Sequence, residues 1–331
     1  MKMINLQSPF VQGSTSVSNI MFIVMLALLP GLIIYMYFFG IGILLNIILA
    51  SITAITAEYF ILKIRKIPSK VFLTDNTALV TAWLLALSIP SIAPWWITVI
   101  GTLFAIIIAK HFYGGIGSNI FNPAMIGYAI LLISFPAIMT KWQNPSYLYD
   151  ANIAFSVFMH GIDNYDGIAS ATPLDYVKTE LLQNKNILPI LNEPLAKLTQ
   201  MQWVGFGFLL GGIFLLFTKI ITWHLPVIYL LTLFTISSLF HLIDPGQFAP
   251  FQFHLLNGGT MLAAFFIITD PVSGPTTPKG KIFFAFLIAL LVYIIRVFGG
   301  YPEGIAFAVI FANICVPLID NLTQPKVFGH D

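Results

Sequence analysis

Apolar and polar residues in this chain come in long blocks. Ten apolar stretches stand out, at residues 20–38, 41–62, 76–90, 94–110, 121–138, 202–219, 221–241, 256–269, 281–298 and 302–319. A helix needs about 20 apolar residues to cross the hydrocarbon of a bilayer. The stretches 76–90 and 256–269 are short, and short or broken spans persist only where protein or a cavity covers their irregular backbone. One segment interrupts the pattern: residues 139–201 are polar and rich in turn formers. The pattern predicts an all-α integral membrane protein of about ten transmembrane helices. A first five-helix repeat occupies 1–138, a long periplasmic loop 139–201, and a second five-helix repeat with a cytoplasmic tail 202–331.

Composition supports this. Of 331 residues, 58% are hydrophobic and 8% charged, whereas a soluble domain carries roughly a quarter charged residues. The net charge of +2 gives no reason to expect nucleic acid as a partner; the lipid bilayer is the expected surrounding. The single cysteine, Cys315, excludes an intrachain disulfide and a cysteine-built metal or iron–sulfur site. The opening M-K-M-I-N-L-Q-S-P-F lacks the features of a cleavable signal, so 20–38 reads as a retained helix.

Basic residues set the orientation. Lys63, Arg65, Lys66, Lys70, Lys110, Lys219, Lys279, Lys281 and Lys326 all fall on one side if ten spans begin and end in the cytoplasm. Short cytoplasmic loops carry the excess of Lys and Arg. Arg296 is the only basic residue near a short outside loop, and 139–201 lies outside.

Two windows share an order of features. Residues 76–128 run from a short span through a Pro-rich break into a long span, then Lys110, F-Y-G-G and a further span. Residues 257–313 do the same, with Arg296 and V-F-G-G. Corresponding elements lie five spans apart, so the two halves are expected to be inverted. Inverted repeats with broken helices place binding sites at or near the breaks.

Polar residues at membrane depth are costly and mark candidate sites. Asp75, Asn119, Asn122 and Asp270 map to the cytoplasmic side, each with an alternative reading as a helix cap or turn residue. Glu58 is expected to pair with Lys63 or Arg65. The chain shows no G-x-G-x-x-G after a strand, no phosphate-binding loop motif and no H-E-x-x-H, and its six histidines have no metal-ligand spacing.

Within the loop, D-G-I-A-S-A-T-P-L-D (166–175) places small residues before Thr172 and Pro173. A hydroxyl on an accessible, extended peptide suits a residue to be modified. No His or Lys base lies beside it to make it a nucleophile. The plainer reading is a Ser/Thr turn capping a helix-like segment, 174–183.

The segments F-Y-G-G-I-G-S-N-I-F-N-P-A-M-I-G-Y (112–128), L-L-I-S-F-P (131–136), T-D-P-V-S-G-P-T-T-P-K-G-K (269–281) and S-A-T-P-L-D (170–175) carry a resemblance. Together the chain resembles the RnfD family, membrane components of the Rnf ion-translocating oxidoreductase complex. By extension it resembles the NqrB component of the sodium-pumping NADH:quinone reductase.

The resemblance implies a fold akin to ammonium and urea channels. It also implies FMN esterified through its phosphate to Thr172 by a flavin transferase, with Asp166, Ser170, Ala171 and Pro173 as motif neighbours. The first two positions of the family motif, Ser/Thr and Gly, read Ala169 and Ser170 here. A second, non-covalent flavin (riboflavin) is also implied, with Asn119, Asn122 and Asp270 as its expected contacts.

The expected function follows: an electron-relaying membrane subunit, multi-pass in the bacterial inner membrane, coupled to Na⁺ or H⁺ movement. It would act only in a complex with other membrane subunits, an iron–sulfur subunit and a second covalent-flavin subunit. The alternatives are the quinone-reductase component itself, or a stand-alone inverted-repeat solute channel or transporter.

Overall fold

A computed structural model describes residues 16–115, 117–145, 150–162, 165, 167–183, 186–197 and 199–325, with the backbone alone for Lys70 and Val71. Every apolar stretch forms helix. Among the described residues, six helices are long and apolar enough to cross a bilayer: α1 (Val17–Phe39), α2 (Gly42–Ile64), α11 (Thr199–Phe217), α12 (His224–Ile243), α15 (Pro278–Phe298) and α16 (Ile305–Thr323). Between α2 and α11 come α3 (Ser69–Leu73), α4 (Thr77–Ser88), α5 (Trp95–Leu103, running on as a π-helical segment Phe104–His111), α6 (Pro123–Ser134) and α7 (Pro136–Met139).

The remaining stretches depart from simple spans for local reasons. Residues 121–138 divide at Pro136, whose ring cannot continue α6, so Phe135 leaves helical geometry at φ −133°, ψ 53°. Residues 256–269 are preceded by α13 (Phe251–Leu256) and a break at Asn257-Gly258-Gly259. The chain then resumes as α14 (Thr260–Leu262) and a π-helical segment, Ala263–Ile267.

α1 and α11 pack closely because small residues line their seam. A Cβ on Gly207 would lie 2.7 Å from Gly31 Cα, and one on Gly211 would collide with the Ala27 carbonyl. Close backbone approach of this kind is how helices associate where no water drives them together. One apolar core, including Leu28, Phe39, Leu85, Met125, Tyr229, Phe266 and Val309, is shared by α1, α4, α6, α12, α16 and the π-helical segment Ala263–Ile267.

The 139–201 segment is folded. A short antiparallel ladder pairs β1 (Trp142–Gln143) with β2 (Ala169–Ser170). Around it lie α8 (Ala151–His160), α9 (Pro173–Leu182) and α10 (Ile187–Ile190). Leu174, Val177, Ile187 and Ile190 pack with Ala249 and Phe253, while Val157 and Ile168 pack with Ile92. The segment is thereby pinned to the break between α4 and α5 on one side and to the start of α13 on the other.

Candidate functional site

Thr172 is the N-cap of α9. Three local features put it there. Ser170 is held opposite Trp142 in the ladder, and the Asn144 amide donates to the Ile168 carbonyl at 2.7 Å. Thr172 is extended (φ −70°, ψ 158°), and Pro173 at the first helical position has no amide to leave unpaired. The Thr172 Oγ1 accepts from the Asp175 amide at 3.2 Å. Thr172 is half-buried, its backbone is extended as expected, and its hydroxyl sits at a strand–helix junction, where it caps α9. Ser170 and Ala171 are half-buried, Pro173 is buried, and Asp166 lies outside the described residues.

A cavity opens beside this cap. Its walls come from α1, α4, α6, α11, α14 and the start of α16. Thr172, Leu174, Asp175 and Glu303 line it, together with rings from Tyr35, Phe39, Tyr128, Trp142 and Phe208 and thioethers from Met125, Met139, Met201 and Met261. Ile267 and Met125 belong to the same lining.

A polar network lies against that part of the wall. Asn122 caps α6 through Oδ1 and the Met125 amide (3.3 Å), and its Nδ2 donates to the Ile267 carbonyl at 3.1 Å. The Asn122 amide donates to Asn313 Oδ1 (3.1 Å), and Asn313 Nδ2 donates to the Ser273 carbonyl (2.9 Å). Asp270 accepts from Ser273 Oγ at 2.7 Å and from the Val272 amide at 3.1 Å. The structure therefore brings Asn122 and Asp270 into one network through Ser273 and Asn313. Asn119 is in a local turn, donating to the Phe121 carbonyl at 3.1 Å. Asn313 and Ser273 escaped the sequence reading because an isolated Asn in an apolar run carries no pattern.

Two buried ion pairs complete the picture. Glu58 is 1% exposed and meets Lys110 Nζ at 2.5 Å and His111 Nε2 at 3.2 Å. Its expected partners were Lys63 or Arg65, but the π-helical turn of α5 brings Lys110 and His111 to it. Lys110 also donates to Thr77 Oγ1 at 2.8 Å, at the start of α4. Arg296 forks onto Glu303 with Nε–Oε1 3.0 Å and Nη2–Oε2 2.8 Å. It also donates to Thr260 Oγ1 at 2.9 Å, at the start of α14. In each case a buried cation on one helix holds the threonine that opens a short one.

The Asp175 carboxyl is raised above its ordinary range by burial, an effect Lys178 partly offsets. Burial likewise lowers the Lys178 ammonium, with Asp175 opposing.

The model of the NQR2, RnfD, RnfE family matches residues 4–329. Proteins named as subunits of an ion-translocating oxidoreductase complex are similar to the chain over nearly its whole length. Those from Yersinia enterocolitica and Aliivibrio salmonicida are each 50% identical to it, and one from Erwinia tasmaniensis is 47% identical. Each comparison covers 98% of this chain and 97% of the relative. On a match of this extent, the chain belongs to the NQR2, RnfD, RnfE family.

Proposed function

We propose that this chain is a membrane subunit of an Rnf-type ion-translocating oxidoreductase complex, and that Thr172 carries FMN through a phosphoester. One observation carries the reading: the Thr172 hydroxyl stands at the N-terminus of α9, on the lip of a cavity walled by aromatic rings and thioethers. Helix N-termini favour anionic oxygen, which suits a phosphate on Thr172. Flat, polarisable walls suit a planar ring system. The residues present thus fit the group.

When bound, the isoalloxazine supplies one- and two-electron chemistry that amino acids lack. The chain's own residues anchor, orient and shield: Thr172 provides the tether, Pro173 and the strand pair fix its direction, and the cavity wall excludes water. The electrons are exchanged with other subunits of the complex, among them an iron–sulfur subunit and a second covalent-flavin subunit. A flavin transferase acts during maturation.

The finer architecture is proposed with it: ten spans in two inverted five-helix repeats, 1–138 and 202–331, in a bacterial inner membrane. The matched contacts Lys110–Thr77 and Arg296–Thr260 support the repeat. Both termini are then cytoplasmic and 139–201 periplasmic. The network of Asn122 and Asp270, with Asn119 nearby in sequence, is the proposed surrounding of a riboflavin. Ion movement, of Na⁺ or H⁺, is coupled to electron flow.

The test is flavin fluorescence of the denatured chain on a gel after co-expression with a flavin transferase. The reading predicts fluorescence that vanishes in Thr172→Ala. A dark wild-type band favours the stand-alone channel.

A further inference from the structure

The cavity holds a second carboxylate besides Asp175. Glu303 is one-fifth exposed as a side chain and lines the cavity along with Thr172. Its position is over-determined. The Arg296 fork grips both oxygens, the Gly259 amide donates to Oε2 at 3.1 Å, and the Gly304 amide donates to Oε1 at 3.0 Å.

The first turn of α9 and this pair meet around Gly258. A Cβ built on Gly258 (φ +68°) would collide with Glu303 Oε2 and lie 2.6 Å from Leu174 Cδ1 and 3.0 Å from Arg296 Nη2. Leu174, two residues after Thr172, therefore crowds the same glycine as the carboxylate and the guanidinium. Behind them, Arg296 is 5% exposed and is occupied by the His254 carbonyl (2.8 Å) and Thr260 (2.9 Å). The carboxylate is the open end of the pair and the guanidinium the closed one.

Resting on the reading that Thr172 carries FMN, we propose that the Glu303–Arg296 pair sets the electrostatic potential in the cavity and so tunes the reduction potential of the flavin tethered there. A charge pair in a water-poor, apolar space acts more strongly than it would in solvent. Reduction of the ring takes up two electrons and at least one proton, so it adds electron density beside whichever charge faces the cavity. With both members present the pair is neutral overall. Removing the carboxylate leaves a guanidinium that favours the reduced ring; removing the guanidinium leaves a carboxylate that opposes it. The two single variants must shift the potential in opposite directions. A strut that merely holds α13, α14 and α16 together would shift both alike or not at all.

The experiment is a spectroscopic redox titration of the covalent flavin in the assembled complex. Dithionite supplies the electrons and is oxidised to sulfite, and water supplies the protons. Wild type, Glu303→Gln and Arg296→Gln are compared, and the mass of the Thr172 peptide is measured on each sample. Gln at 303 removes the charge and keeps one acceptor oxygen, so one of the two amides, Gly259 or Gly304, gives up its partner. The expected result is a reduced-to-oxidised ratio at fixed potential about tenfold higher in Glu303→Gln, or about +30 mV for a two-electron couple. Arg296→Gln should shift by a similar amount the other way.

If only one variant assembles with Thr172 loaded, the sign of its shift decides. Loaded variants with unshifted potentials, or shifts of the same sign, overturn the proposal while leaving the tether intact. Loss of loaded protein in both variants makes the pair a strut and also overturns it. A wild-type Thr172 peptide at its unmodified mass sinks the tether itself.

Discussion

Lys178 Nζ lies 2.8 Å from the carbonyl of Tyr301 and 3.1 Å from that of Arg296. It also reaches the Ile295 carbonyl at 3.3 Å. A cation on the helix that begins at Thr172 thus caps the C-terminal end of α15, where carbonyls lack helical partners. The 139–201 segment and α15 are clamped together beyond the cap.

Lys178→Met should release that clamp while keeping the apolar stem. Hydrogen exchange of α9 amides should accelerate more than that of α8, which is pinned separately through Val157 and Ile92. Equal protection in variant and wild type would show that the apolar contacts of Leu174 and Val177 suffice.

Under the proposed function Thr172 has two separable roles, and three substitutions separate them. Thr172→Ala should lose the flavin and about 1 kcal/mol of cap stability. Thr172→Asn should lose the flavin but keep the cap, because an Asn oxygen accepts from the same helix amides. Thr172→Ser should keep both. Gel fluorescence reports the first role and thermal denaturation the second.

Asp175 gives the 139–201 segment a pH dependence. Its folded value lies above the ordinary 3.8 through burial, so folding favours the protonated acid. The stability it contributes is complete below 3.8 and is lost as pH rises through the raised folded value. Protection of α9 against limited proteolysis should therefore increase as pH falls across that window, and Asp175→Asn should flatten the dependence. A wild-type profile that declines with acidification would contradict this.

Glu58 and Lys110 form a pair with almost no solvent contact. Lys110→Met strands a buried carboxylate that His111 alone must then satisfy, at a cost of about 3–5 kcal/mol. Adding Glu58→Gln should recover much of the loss. Additive losses in this double-mutant cycle, read by thermal denaturation in detergent, would rule out the direct coupling.

The seam between α1 and α11 predicts a contrast between two glycines of one helix. Gly211→Ala drives a methyl into the Ala27 carbonyl, whereas on Gly205 the nearest atom would be 3.6 Å away, an ordinary contact. Overpacking costs about 1–3 kcal/mol, so Gly211→Ala should lower the melting temperature and Gly205→Ala should leave it nearly unchanged.

Much of this architecture is written in the sequence, because hydrophobic run length is a strong signal in a chain this apolar. The breaks at Pro136 and at Asn257-Gly258-Gly259 interrupt two of the apolar stretches, which fold as shorter helices. The cap at Thr172 is readable from Thr-Pro before an apolar-periodic segment. The partners of Glu58 and Arg296 were less legible. A π-helical turn rotates Lys110 and His111 toward Glu58, 52 and 53 residues away along the chain, and helical spacing gives no hint of it. Glu303 is a single acid in a short loop, and its importance comes only from the fork of Arg296 and the cavity it faces.

The most direct measurement is the intact mass of the proteolytic peptide containing Thr172, from protein matured with its flavin transferase. The account predicts a peptide heavier by one FMN less one water, with fragmentation placing the addition on the threonine oxygen. A peptide at its unmodified mass, from a sample in which the transferase is demonstrably active, would contradict it.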